Sequence, residues 1–118
     1  MIGRLHNTVI DCPDPRALAS FYCELLGWYV VRDSGDWVVI GADSDAPGIA
    51  FQQAPDLREP HWPDPERPQQ FHLDVLVDDI EAAEAKVLAI GASRLPGKGD
   101  DFRVYADPAG HPFCLVWD

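Results

Sequence analysis

The sequence lacks the features that would place it outside the globular, water-exposed class. No apolar run approaches the roughly 20 residues needed to span a bilayer, so a membrane partner is not expected. The N-terminus shows no charged segment followed by an apolar one, so a secretory leader is not expected and the expected location is cytoplasmic. Cysteine is scarce. Cys12, Cys23 and Cys114 form an odd, widely spaced set without a CxxC pair, which argues for reduced thiols rather than a disulfide framework. Positive charge is scarce as well. Nine Lys and Arg face 20 Asp and Glu, for a net charge of −11, and the basic residues are scattered singly, so nucleic acid is not an expected partner. An acidic surface attracts cationic ligands, although solubility is the simpler account of the charge.

What is present is a patterned chain of 118 residues, 47% of them hydrophobic, with a mean hydropathy of −0.16. That is enough for one domain with its own core. Phe71, Leu73, Val75 and Val77 alternate with His72, Asp74 and Leu76, the period of a two-faced strand. Asp78 with Glu81 reads as a capping box, and Ile80, Ala83, Val87 and Ile90 mark one helical face before Gly91. An earlier stretch says something similar. A strand around His6 is followed by Asp14-Pro15, a good N-cap and first helical residue. Leu18, Phe21, Tyr22, Leu25 and Leu26 then form a helical stripe up to Gly27. The spans from His6 to Gly27 and from His72 to Gly91 differ by two residues. Two copies are too few for a solenoid, so the pattern predicts a pseudo-symmetric domain of paired halves.

Around these stretches the first half reads β-α-β-β-β. A strand covers residues 3–10, a hairpin turns at Asp33-Ser34-Gly35-Asp36, and a fourth strand starts at Gly48. Trp28, Tyr29, Trp37 and Trp117 read most simply as sheet-face core, with one or two of them as alternatives for lining the cup and stacking on a flat ligand. Five prolines between positions 55 and 69 exclude helix and central strand there. We therefore expect modules 1–54 and 70–118 joined by an extended linker, 55–69. Trp62, inside it, would anchor the linker to the domain surface, or less commonly line a ligand mouth. The second half repeats the plan, with a turn at Asp107-Pro108-Ala109-Gly110 before the last strand.

Two such modules, His72-Leu73-Asp74-Val75 followed by Val77-Asp78-Asp79, and Asp107 to Leu115 at the close resemble the vicinal oxygen chelate superfamily. That superfamily holds glyoxalase I, bleomycin-resistance proteins and extradiol dioxygenases. The resemblance covers essentially the whole chain. It implies an α+β fold in which two βαβββ modules pair into a cupped mixed β-sheet, with one helix per module outside. It also implies a small organic ligand and a homodimer. In metal-using members a His or Gln from the first strand of each module and a Glu from the last bind the ion. By position these places fall on His6, Ala50, His72 and Cys114, so neither glutamate is present.

Strand alternation puts His6 with Thr8, Ala50 with Gln52, His72 with Asp74, and Cys114 with Val116. The expected ligand-binding cup is therefore His6, Thr8, Gln52, His72, Asp74 and Cys114, a mixed lining suited to a small organic molecule. His6 and His72 are the candidate metal ligands. Two imidazoles and the Cys114 thiolate would suit zinc; nickel, manganese or iron are the other divalent candidates, and no cofactor is the simpler expectation. Cys114 would serve as a nucleophile only with a neighbouring base and a lowered pKa; a small core residue is the commoner role. No catalytic residue is assigned. The sequence thus supports a small-molecule-binding protein of glyoxalase and bleomycin-resistance type without the full metal site. The alternative is a divalent-metal lyase or dioxygenase using His6 and His72.

Overall fold

The computed structural model describes residues 1, 3–69 and 71–118. Gln70, the expected start of the second module, lies outside them. The chain divides into two compact units, Met1–Leu57 and Arg58–Asp118, and each carries a β-α-β-β-β succession. The first unit runs β1 (Asn7–Cys12), α1 (Pro15–Leu26), β2 (Tyr29–Asp33), β3 (Trp37–Gly41) and β4 (Gly48–Gln53). The second runs β5 (Leu73–Leu76), α2 (Ile80–Ala89), β6 (Ser93–Lys98), β7 (Phe102–Ala106) and β8 (Pro112–Val116). Each unit forms a four-stranded mixed sheet, ordered β1-β4-β3-β2 and β5-β8-β7-β6. The first strand pairs parallel with the last in both. The expected α+β class is thus present, as is the repeated β-α-β-β-β plan, with one four-stranded sheet in each unit.

Strand β1 starts later than the alternation suggested, at Asn7 rather than residue 3, and runs on to Cys12. Its six residues match the six of β4, Asn7 against Gly48 through Cys12 against Gln53, and Pro13 cannot continue the ladder. The faces follow from this register. Thr8, Ile10 and Cys12 lie with Ile49 and Phe51 beneath α1, where Tyr22 stacks on Phe51 at 5.5 Å. Ile10 is only 1% exposed. Asn7, Val9 and Asp11 share the opposite face with Ala50 and Gln52. Tyr29, expected in the core, is 68% exposed on the edge strand β2. Each fully buried aliphatic or aromatic side chain in this layer contributes roughly 1.5–3 kcal/mol.

Helix α1 begins as its sequence indicates. Asp14 accepts from the Ala17 amide, Pro15 opens the first turn, and Gly27 closes the helix at φ 68°, a conformation that costs glycine nothing. Helix α2 starts one residue later than expected. Asp79, not Asp78, is its N-cap and accepts from the Ala82 amide, so Ala82 takes the place a capping-box glutamate would need. Asp79→Ala is expected to lower stability by about 0.5–2 kcal/mol. Asp78→Ala should stay within about 0.5 kcal/mol of the parent, and urea midpoints of the two variants check the assignment.

The outer face of the second sheet is tied to α2 by charge. The Tyr105 hydroxyl donates to Glu84 Oε1 at 2.8 Å, and Arg103 reaches Glu81 at 2.6 Å and Glu84 at 3.2 Å. Burial, then the Glu84 carboxylate, pushes the Tyr105 phenol up to about 12. The Tyr105 hydrogen bond in turn leads the effects that hold Glu84 below the usual carboxylate range.

The proline-rich segment is not a simple extended linker. From Arg58 onward it belongs with the second unit, and it turns on itself through amide-to-carbonyl bonds from His61 to Arg67 (2.9 Å) and Arg67 to Asp64 (3.1 Å). The Trp62 indole N–H donates to the Pro96 carbonyl on β6 at 3.2 Å. Proline density excluded regular elements, as expected, but the Asp64 side chain, which accepts from the Glu66 amide at 2.9 Å, folds the segment locally, and Trp62 ties it to β6.

Candidate ligand-binding site

The second unit holds an open cleft of about 590 Å³ on the sheet face away from α2. Alternation builds its floor. Leu73 and Val75 on β5, Tyr105 on β7, and Phe113 and Leu115 on β8 point toward the helix side. Asp74, Leu76, Val104, Cys114 and Val116 therefore point into the cleft. His72, immediately before β5, joins them. Trp62, Phe102 and Trp117 supply aromatic rings, and Asp101 a further carboxylate.

Three of the six expected cup residues are thereby gathered. One ligand atom each from His72, Asp74 and Cys114 lie within 4.8 Å of one another. His72 Nε2 is 3.3 Å from Asp74 Oδ1, and Asp74 stands directly opposite Cys114 in the parallel ladder. The other three are in the first unit and do not share a face. Thr8 pairs with Ile49 on the helix side, whereas Gln52 pairs with Asp11 and Trp37 on the opposite side. His6 precedes β1; its carbonyl accepts from the Gly48 amide at 3.2 Å, and with Asn7, Trp37 and Gly48 it lines a separate cleft of about 620 Å³. The expected single cup face fails at Thr8 because the pairing of β1 with β4 sets Thr8 and Ile10 beside the buried Ile49 and Phe51, beneath α1.

The same register corrects the match between the histidines. His72 lies seven residues ahead of its helix N-cap, Asp79, and the residue seven ahead of Asp14 is Asn7. The ladders agree: Val9 opposite Ala50 in the first unit corresponds to Asp74 opposite Cys114 in the second. The counterparts of His72, Asp74 and Cys114 are therefore Asn7, Val9 and Ala50, so the ligating side chains are concentrated in the second unit.

Cys114 is 8% exposed. Its thiol is pushed up, first by burial, then by the Asp74 charge and by a hydrogen bond to Asp74. The direction is opposite to what a nucleophile needs; at neutral pH the thiol stays protonated and donates to the carboxylate. Asp74→Asn removes the Asp74 charge while an amide oxygen can still accept from the thiol, so alkylation of Cys114 by iodoacetamide near pH 8 should quicken severalfold. Peptide mass spectrometry over time checks this. An unchanged rate would mean that the Asp74 charge does not govern the thiol.

Sequence reasoning missed Phe102, Val104 and Asp101. Alternation along β7 could have found the first two; nothing local marked Asp101. Trp62 combines both roles considered for it, anchored through its indole N–H while lining the cleft.

In each unit a four-stranded mixed sheet carries one helix, which defines a class of small α+β domains. The family model for a glyoxalase-like domain matches residues 7–116. The chain belongs to that family, within the vicinal oxygen chelate superfamily. Solved structures with the same fold include the fosfomycin resistance protein FosX from Mesorhizobium loti, at 16% identity and TM-score 0.72, covering 98% of this chain and 92% of that one. A glyoxalase family protein from Enterococcus faecalis is 23% identical, with TM-score 0.69 and 98% of both chains covered. A glyoxalase-related enzyme from Fulvimarina pelagi is 18% identical, with TM-score 0.70 and 99% and 89% covered. No curated protein matches the sequence. Among the described residues, no helix is long and apolar enough to cross a membrane.

Proposed function

We propose that the chain is a small-molecule-binding protein of glyoxalase and bleomycin-resistance type. Its ligand site is the second unit's cleft, and it works without the full metal set of the superfamily. One observation carries this reading: where metal-using members place ligands, the chain has Asn7 or the neighbouring His6, then Ala50, His72 and Cys114. Ala50 has no donor side chain, and no carboxylate stands at either glutamate position. This donor set does not fit the superfamily's ion. Capture of a toxic organic compound suits such a cleft, and a fosfomycin resistance protein is among the proteins sharing the fold.

A second reading is favoured by the convergence of His72, Asp74 and Cys114 within 4.8 Å. An imidazole, a carboxylate and a thiolate with an open side suit zinc, which would supply Lewis acidity to a bound oxygen. In that reading the protein would be a divalent-metal lyase or dioxygenase. Elemental mass spectrometry separates the two readings. Tag-free protein is soaked in zinc, nickel, manganese or iron(II) and dialysed, beside His72→Ala. The expected result is no stoichiometric metal in either protein. Near-stoichiometric metal that His72→Ala loses would sink the metal-free reading.

A further inference from the structure

We propose that the ligand of the second unit's cleft is a flat organic cation, a protonated amine or quaternary ammonium attached to an aromatic ring. This rests on the reading of the cleft as a small-molecule site and adds the chemical class. Trp62, Phe102 and Trp117 come from three separate segments to line one cleft. Trp62 is held by its N–H bond to Pro96, so the ring is fixed in place before any ligand arrives. Aromatic faces carry the negative part of a quadrupole and attract cations within about 6 Å of the ring centre.

The charges point the same way. Asp74, Asp101 and Asp118 open onto the cleft, and no lysine or arginine is among the described residues lining it. His72 is the basic group there, and its Nε2 lies against Asp74. On the α2 side Arg103 pairs with Glu81 and Glu84, and Arg94 with Glu84; Arg103 also lies 6.0 Å from the Trp117 ring centre, so Trp62 and Phe102 are the rings that take the ligand's charge. An anion entering the cleft would meet the carboxylates of three aspartates with one imidazole to offset them. A neutral ring would gain stacking alone. A cleft of about 590 Å³ is within the range that holds a bicyclic ligand.

The test titrates the full chain with three bicyclic probes of matched shape: N-methylquinolinium, quinoline and naphthalene-2-sulfonate. Calorimetry gives affinity, and tryptophan fluorescence reports the cleft. N-methylquinolinium should bind on the order of tenfold more tightly than quinoline, with naphthalene-2-sulfonate weakest. Added salt should weaken the cation alone. Asp101→Asn and, separately, Asp74→Asn should each reduce cation affinity severalfold and leave quinoline unchanged, whereas Trp62→Leu should weaken both. If quinoline or the sulfonate binds as tightly as the cation, the cation proposal is overturned and the small-molecule reading stands. A cation preference that survives both Asp variants overturns the assignment to these carboxylates. Failure of all three probes to bind overturns both the proposal and the reading beneath it.

Discussion

Phe113→Ala is expected to destabilise the protein by about 3–5 kcal/mol, the usual cost of truncating a fully buried phenylalanine. Phe113 is 0% exposed at the centre of the second sheet, between β5 and β7 in the pairing. Its ring stacks on Tyr105 with centroids 5.6 Å apart. Removing it opens a cavity that the flanking strands cannot collapse into without breaking their ladders. The effect should reach the cleft, because Phe113 and Leu115 on the helix side are what turn Cys114 and Val116 toward the ligand face. Cys114→Ala, one residue on but facing the cleft, is the control and should cost no more than about 1.5 kcal/mol. Urea unfolding of both variants measures the contrast. Similar losses for the two would mean that the strand's faces are not distinguished in the way its register indicates.

Gly48→Ala is the second large effect, expected at about 3 kcal/mol, the upper end of overpacking costs. Gly48 begins β4 and is squeezed between two strands. A Cβ there would fall inside van der Waals contact with the Ile40 carbonyl oxygen and would also crowd the Asn7 side chain. The Ile40 oxygen is backbone, in a residue paired with Ile49, so no side-chain rotation relieves the overlap. The end of the β3–β4 ladder must open, and the Gly48 amide bond to His6 goes with it. Gly3→Ala, whose added methyl meets nothing within 4 Å, should leave the thermal midpoint unchanged. A Gly48→Ala midpoint equal to that of Gly3→Ala would refute this account of the close approach.

Much of the fold was legible because its signals are local. Asp14-Pro15 and Gly27 mark the two ends of α1 through capping and the left-handed turn, and both are chemical properties of single residues. The alternation around His72 to Leu76 separated the cleft side of β5 from its helix side, since side chains on a strand alternate by geometry. The near match of the two halves exposed the repeated β-α-β-β-β plan. Capping was less secure at Asp78 and Asp79, where two adjacent acids offer the same chemistry and only the path of the backbone chooses between them.

Of the candidate cup, the structure brings three of the six named residues together. His72, Asp74 and Cys114 were named from sequence, and the parallel pairing of β5 with β8 brings them together. His6 and Thr8 were placed by matching His6 to His72, where the ladders match Asn7, one residue on; Gln52 does share the face of Ala50, but in the first unit. A one-residue error in a period-two element sends every side chain to the other face. What the chain itself determined was the kinds of element, their order, the stock of ligating and aromatic residues, and the loss of both glutamates. What only the tertiary structure decided was register, and with it which residues share a face. Hydrogen-bonded pairing between strands about 40 residues apart in the chain sets that register, and no local sequence window contains both partners.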